Sequence, residues 1–230
     1  MSLPQPDPSA TILITGASAG IGEQLARQFA GVGHGVTLVA RRRARLERLA
    51  AELRRDCGVE TVVYAADLGD ADARANVLAA LQASGRFVAG VCNNAGFGSS
   101  GPFADQPLDR EREMVRVNVE ALHHLTGAFL APMIRRGEGA ILNLASTAAF
   151  HPLPMAATYA ATKAFVVSFS QALHAELAGT GVSCTVVCPG PVHTEFHASA
   201  GIQARLPDSA YSTAEQVACD AIAKMCKGCP

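Results

Sequence analysis

The chain of 230 residues and 23.8 kDa suits one α/β domain and is too long for a disulfide-stapled miniprotein. Apolar residues make up 49%, charged ones 17%, and the mean hydropathy is +0.20, which excludes a disordered, solvating polypeptide. A formal net charge of −1 gives no reason to expect nucleic acid or an anionic membrane as partner, and no apolar run reaches the roughly 18 residues of a spanning helix.

Residues 1–10, with Pro4, Pro6 and Pro8 and no apolar signal core, read as a flexible tail before a single domain over 11–230. Strand candidates follow at Thr11–Thr15, Val36–Ala40, Thr61–Ala65, Val88–Cys92, Ala140–Leu144 and Ser183–Cys188. Between and after them, helical periodicity marks Ile21–Ala30, Arg43–Arg55, Ala71–Ser84, Leu108–Arg135, Thr158–Ala178 and Thr213–Lys224. This alternation is the βαβ signature: an α/β protein with one doubly wound, Rossmann-type parallel sheet and helices on both faces. The helix from Thr158 is apolar around most of its circumference and needs cover on a second side, from a partner subunit or from its own loops. The seven cysteines, in a chain with no secretory signal, read as reduced thiols of a cytoplasmic protein. Cys226 and Cys229 have a C-x-x-C spacing without a second ligand pair, so no metal site is expected.

After the first strand stands Thr15-Gly16-Ala17-Ser18-Ala19-Gly20-Ile21-Gly22, a glycine-rich turn between a strand and a helix. Glycines there let backbone N–H groups and the positive end of the helix reach a pyrophosphate. The tip of the second strand then lies over the adenosine ribose. An acid at that point binds a free 2′-hydroxyl, but this sequence has Arg41 and Arg42 and no acid until Glu47. A guanidinium suits a phosphate, so NADP(H) is the preferred cofactor, with NAD(H) left open.

Tyr159 and Lys163 lie four residues apart on a predicted helix, hence on one face. Of 19 basic residues only Lys163, Lys224 and Lys227 are lysines, so a lysine within an apolar helix marks a position where arginine does not serve. An ammonium beside a phenol favours the phenolate. Ser146, just past the fifth predicted strand, is placed to hold a carbonyl oxygen against that phenol.

These motifs resemble the short-chain dehydrogenase/reductase family, from about Thr11 to Thr213. The resemblance rests on Thr15–Gly22, on Asn93-Asn94-Ala95-Gly96 and on Ser146, Tyr159 and Lys163. It implies hydride transfer between a nicotinamide and a carbonyl, with Tyr159 as acid, Ser146 orienting the oxygen, and Lys163 binding the ribose and lowering the phenol's pKa. It also implies that Asn118 holds a proton-relay water. Cofactor contacts carried over from the family are Gly16, Ser18, Gly20, Ile21 and Gly22; Asp67 and Leu68 at the adenine; Asn94, Ala95 and Gly96; and Pro189, Gly190, Val192 and Thr194 after the sixth strand. Ala19 replaces the basic residue of many NADP-using members, which leaves the 2′-phosphate to Arg41 and Arg42. The family's seventh strand is missing or vestigial. A homodimer or homotetramer through the helices containing Asn118 and Tyr159 is implied. The expected substrate pocket comprises Phe97, Gly98, Phe150, His151, Leu153, Pro191, Val192, His193 and Phe196. It suits a small-to-medium apolar ketone, aldehyde or secondary alcohol. A 3-oxoacyl-thioester reductase shares every motif, and a catalytically silent NADP-sensing protein is the reading from a different class.

Overall fold

The computed structural model describes residues 3–201 and 207–229. Six parallel strands form the sheet: β1 (Ala10–Thr15), β2 (Val36–Ala40), β3 (Thr61–Ala65), β4 (Phe87–Asn93), β5 (Gly139–Leu144) and β6 (Val182–Val187), in the order β3-β2-β1-β4-β5-β6. The order reverses between β1 and β4, and ligands of open parallel sheets bind beyond the strand ends at such a reversal.

Helices cover both faces because successive strand residues point to opposite sides. Ile12 and Ile14 of β1 join Leu25, Phe29 and Leu46, from α1 (Gly20–Gly31) and α2 (Arg43–Cys57), and Met225 from α8 (Ala214–Lys227). Leu13 between them packs on the other face with Val77 of α3 (Ala71–Ala83) and with Leu125 and Met133 of α5 (Leu122–Arg136). Leu173 of α6 (Ala157–Glu176) joins the same cluster. Among the described residues β6 is the sheet's edge on that side, and the Thr185 hydroxyl there donates to the Cys229 carbonyl at 2.6 Å.

Three local expectations differ from the structure. The segment taken as a loose tail is packed from Leu3, which is buried in the first core; the Asp7 carboxylate accepts from Ser9 N at 2.7 Å and the Asp7 carbonyl from Ala10 N at 3.0 Å, starting β1 one residue early. Three prolines stiffen this segment, so ordering it loses less entropy than an ordinary tail. The single helix expected over Leu108–Arg135 is α4 (Leu108–Val115), a π-helical turn (Arg116–Ala121) and α5. That wider turn holds Asn118, in keeping with the use of π-bulges at functional sites. Finally, a two-residue ladder of β7 (Val192–His193) and β8 (Ser212–Thr213) lies outside the main sheet. Between them runs α7 (Phe196–Ser199), part of a loop beside the cleft described next.

Candidate active site

The carboxyl ends of β1, β4, β5 and β6 open into a cleft of about 680 Å3. Its phosphate end is built by close approach. A Cβ at Gly16 meets Asn94 Nδ2 at 2.7 Å, and one at Gly22 meets the Gly16 carbonyl oxygen at 2.4 Å. Gly16 and Gly20 also have φ of +68° and +58°, which L side chains adopt at a penalty. Across the sheet reversal, Asn94 Nδ2 donates to the Thr15 carbonyl at 2.9 Å, and Thr15 Oγ1 accepts from the backbone N–H groups of Asn94 and Ala95 at 3.0 Å each. These contacts fix a glycine cradle at the start of α1. Gly16, Ser18, Gly20 and Ile21 line the cleft; Gly22 stands behind them and keeps the turn tight.

Arg41, Arg42, Asp67 and Leu68 line the adenosine end. Arg42 donates from Nε and Nη2 to Ser18 Oγ at 3.1 and 3.0 Å. Arg41 Nη1 lies 3.5 Å from Glu113 and 3.8 Å from Asp67. Asn94, Ala95, Gly96, Pro189, Gly190, Val192 and Thr194 line the middle of the cleft. A Cβ at Gly20 meets Thr194 Cγ2 at 3.0 Å, so the loop after β6 crosses the start of α1. Bare glycine backbone at a helix start, flanked by two arginines and a serine hydroxyl, is a donor set that fits a dinucleotide carrying a phosphate on its adenosine ribose.

The chemical end brings Ser146, Tyr159 and Lys163 to one wall. Ser146 follows β5 and caps a 3-10 turn (Thr147–Phe150), its Oγ accepting from Ala148 N at 3.2 Å. Lys163, 6% exposed, donates from Nζ to the Leu144 carbonyl at 2.8 Å and lies 5.8 Å from the centroid of the Tyr159 ring. Burial pulls the lysine down to about 8, with the nearby Cys188 thiol opposing. Burial pushes the Tyr159 phenol up, and a hydrogen bond with Ser146 pulls it back. The Lys163 ammonium is directed at the strand carbonyl, and desolvation is the larger influence on the Tyr159 phenol.

Asn118 lies behind the wall, 1% exposed. Its Oδ1 accepts from Phe97 N at 3.1 Å, and its Nδ2 donates to the Phe97 carbonyl at 2.9 Å and to Thr162 Oγ1 at 3.1 Å. With both amide hydrogens engaged, the side chain positions the Gly96–Phe97 backbone against α6.

Phe97, Leu153, Pro191, Val192 and Phe196 line the substrate side, and the Phe196 ring packs on Tyr159 at 5.3 Å between centroids. Gly98 lies beneath, where a Cβ meets Phe196 Cζ at 3.0 Å. Phe150, His151 and His193 do not line the cleft. The 3-10 turn rolls Phe150 outward, leaving it 64% exposed, and His151 follows it into solvent. In β7 Val192 points in and His193 out, where its ring stacks on Tyr211 at 4.4 Å. Sequence reasoning missed Arg110, Glu195 and His197, which do line the cleft. Nothing in their spacing singles them out, because α4 and the loop after β6 meet here only through the tertiary fold.

The family profile described as short chain dehydrogenase matches residues 10–204. The chain belongs to the short-chain dehydrogenase family. It is 36% identical over 208 residues to a short chain dehydrogenase of Pseudocercospora fijiensis, covering 90% of this chain and 64% of that protein. It is also 36% identical over 196 residues to a very-long-chain 3-oxoacyl-CoA reductase of Anas platyrhynchos, covering 83% of this chain and 62% of that one. The chain thus spans less than two thirds of the length of these two relatives. A solved short-chain dehydrogenase from Sphingobium yanoikuyae, in complex with NADPH, superposes with a TM-score of 0.90 at 36% identity over 96% of this chain and 85% of that one. The fold, the motif order and these relatives agree on the short-chain dehydrogenase family.

Proposed function

We propose that this short-chain dehydrogenase reduces a small-to-medium apolar ketone or aldehyde with NADPH, and oxidises the corresponding secondary alcohol in reverse. One observation carries the reading: Ser146, Tyr159 and Lys163 share a wall of the cleft whose far end holds Arg41, Arg42 and Ser18. The nicotinamide, when bound, supplies the hydride. The glycine turn and Thr194 would hold the dinucleotide, and Arg41 and Arg42 its 2′-phosphate. Ser146 orients the substrate oxygen, and Tyr159 gives that oxygen its proton. The phenolate left behind is reprotonated from solvent, and Lys163 would bind the ribose. General acid transfer of this kind contributes roughly 10²–10⁴ in rate.

Phe97, Leu153 and Phe196 favour an apolar substituent on the carbonyl. A panel of ketones and aldehydes, read by NADPH absorbance, tests the reading: turnover is expected with apolar members. Arg41→Asp should shift preference toward NADH by more than tenfold, and unchanged NADPH selectivity would place the phosphate elsewhere.

Arg110 supports a second reading, a 3-oxoacyl-thioester substrate. It stands on the cleft lining with its guanidinium 5.5 Å from the Phe97 ring centroid and its Nη2 donating to the Ser199 carbonyl at 2.6 Å. A cation there suits the phosphates of a thioester carrier. Turnover of an acetoacetyl thioester that falls selectively in Arg110→Gln favours this reading over the first.

We also infer self-association through α4, the π-turn, α5 and α6, which expose Leu108, Val115 and Phe165. Light scattering on Phe165→Glu, read against wild type, tests this. All seven cysteines are unpaired, which supports a reducing, cytoplasmic setting.

A further inference from the structure

Glu195 reaches across the mouth of the cleft from the loop after β6. Its Oε2 accepts from Arg42 Nη1 at 2.6 Å and its Oε1 from Arg45 Nη1 at 2.7 Å. Among the described residues it is the sole acid paired with either arginine, since Arg41 turns instead to Asp67 and Glu113. The two guanidiniums hold its carboxyl well below the usual range, at about 2, so it stays charged at any working pH. Arg42, with Ser18 on its other edge, is also half of the pair assigned above to the cofactor's 2′-phosphate.

A phosphate dianion and a carboxylate cannot share these donors without like-charge repulsion. A cofactor with a free 2′-hydroxyl brings no such conflict. We propose that Glu195 is a specificity-determining residue: a built-in competitor of the 2′-phosphate for Arg42 and Arg45, displaced when NADP(H) binds and left in place by NAD(H). Because Thr194 and Phe196 flank it, that displacement also releases the loop segment nearest Tyr159 from the adenosine end. The inference rests on the NADP reading above.

Two fragments separate the possibilities: 2′,5′-ADP, which carries the 2′-phosphate, and 5′-ADP, which does not. Both are titrated calorimetrically into the full chain and into Glu195→Gln, a near-isosteric change at a side chain 55% exposed, where folding is not at stake. Wild type should bind 2′,5′-ADP more tightly than 5′-ADP. The variant should bind 2′,5′-ADP roughly fivefold more tightly than wild type does, the size of one exposed ion pair, with 5′-ADP unchanged. Glu195→Ala should reproduce the shift, and the NADPH-to-NADH ratio of kcat/KM should rise by the same factor. A wild type that does not distinguish the fragments overturns the NADP reading and this proposal with it. A wild type that does, beside variants with unchanged or weakened 2′,5′-ADP binding, overturns the proposal alone.

Discussion

Lys163 Nζ lies 5.8 Å from the centroid of the Tyr159 ring while its hydrogen bond, at 2.8 Å, goes to the Leu144 carbonyl at the end of β5. The same strand end leads within two residues to Ser146. Phenol, ammonium and hydroxyl are thus referenced to one rigid strand and one helix rather than to loops, which keeps them within reach of a single carbonyl oxygen.

Tyr159→Phe removes the proton donor and leaves the glycine cradle and the arginines untouched. Reductive turnover should fall by about 10³-fold, within the usual range for a general acid, while NADPH binding stays within about twofold. Stopped-flow turnover and calorimetric titration measure the two separately. A near-normal rate removes Tyr159 from the chemistry.

Burial of Lys163 makes stability depend on pH in a direction that can be worked out. Its folded value of about 8 lies below the ordinary lysine value of 10.5, so between those limits the unfolded chain binds a proton that the folded chain does not. Folding stability from this group therefore rises with pH across that window, and below about 8 the fold bears the full desolvation penalty. Lys163→Met removes the penalty and also the Leu144 hydrogen bond, which adds an offset independent of pH. The stability of the variant minus that of wild type should fall as pH rises from about 8 toward 10.5. Raised thiols at Cys92 and Cys184 act alike in both proteins and cancel in the difference, while the Cys188 thiol, which Lys163 pulls down, rises further in the variant and steepens the same fall. Urea midpoints at four pH values read it, and a flat difference rejects the buried ammonium.

Legibility followed the range of the interactions. The strands and most helices were readable because period 2 and period 3.6 are local, and Tyr159 with Lys163 because four residues is one helical turn. The π-turn at Asn118 was not, since its widening is held by tertiary contacts to Phe97 and Thr162. The outward turn of Phe150, the stacking of His193 on Tyr211 and the pairing of Glu195 with Arg42 likewise depend on which loops meet. No pattern along the chain encodes a contact between residues 153 positions apart. Leu3 joined the core for the same reason: one apolar side chain in a proline-rich lead has no periodicity to betray it.

Gly22 is set by space, not by backbone angle. Its Cβ would lie 2.4 Å from the Gly16 carbonyl oxygen and 2.5 Å from Asn94 Nδ2, so Gly22→Ala forces the cradle apart. The change should destabilise by about 1–3 kcal/mol, as overpacking does, and weaken NADPH binding more than tenfold. Gly31, at the other end of α1, has nothing within 4 Å of its Cβ. Gly31→Ala should be neutral or stabilise by up to about 1 kcal/mol through helix propensity alone. Denaturant melts and NADPH titrations of the pair compare space with propensity, and equal effects refute the steric account.

Met155 is the one non-glycine residue with positive φ among those described, at 70°, four residues before Tyr159. Its carbonyl accepts from Gly101 N at 2.8 Å, which ties the loop after β4 to the approach of α6 and fixes the turn in the left-handed region. A side chain there costs about 1–2 kcal/mol. Met155 is 53% exposed, so deleting it forfeits little burial. Met155→Gly relieves the strain, and the larger unfolded-state freedom of glycine, about 0.5–1 kcal/mol, offsets part of the gain. The net expectation is roughly 0.5–1 kcal/mol of added stability, or about 1–4 °C in Tm for a chain of this size. Met155→Ala keeps a Cβ in the same conformation and should show no such gain. Scanning calorimetry of the two variants settles the matter: equal shifts, or a lower Tm for the glycine variant, mean that the turn before Tyr159 stores no strain.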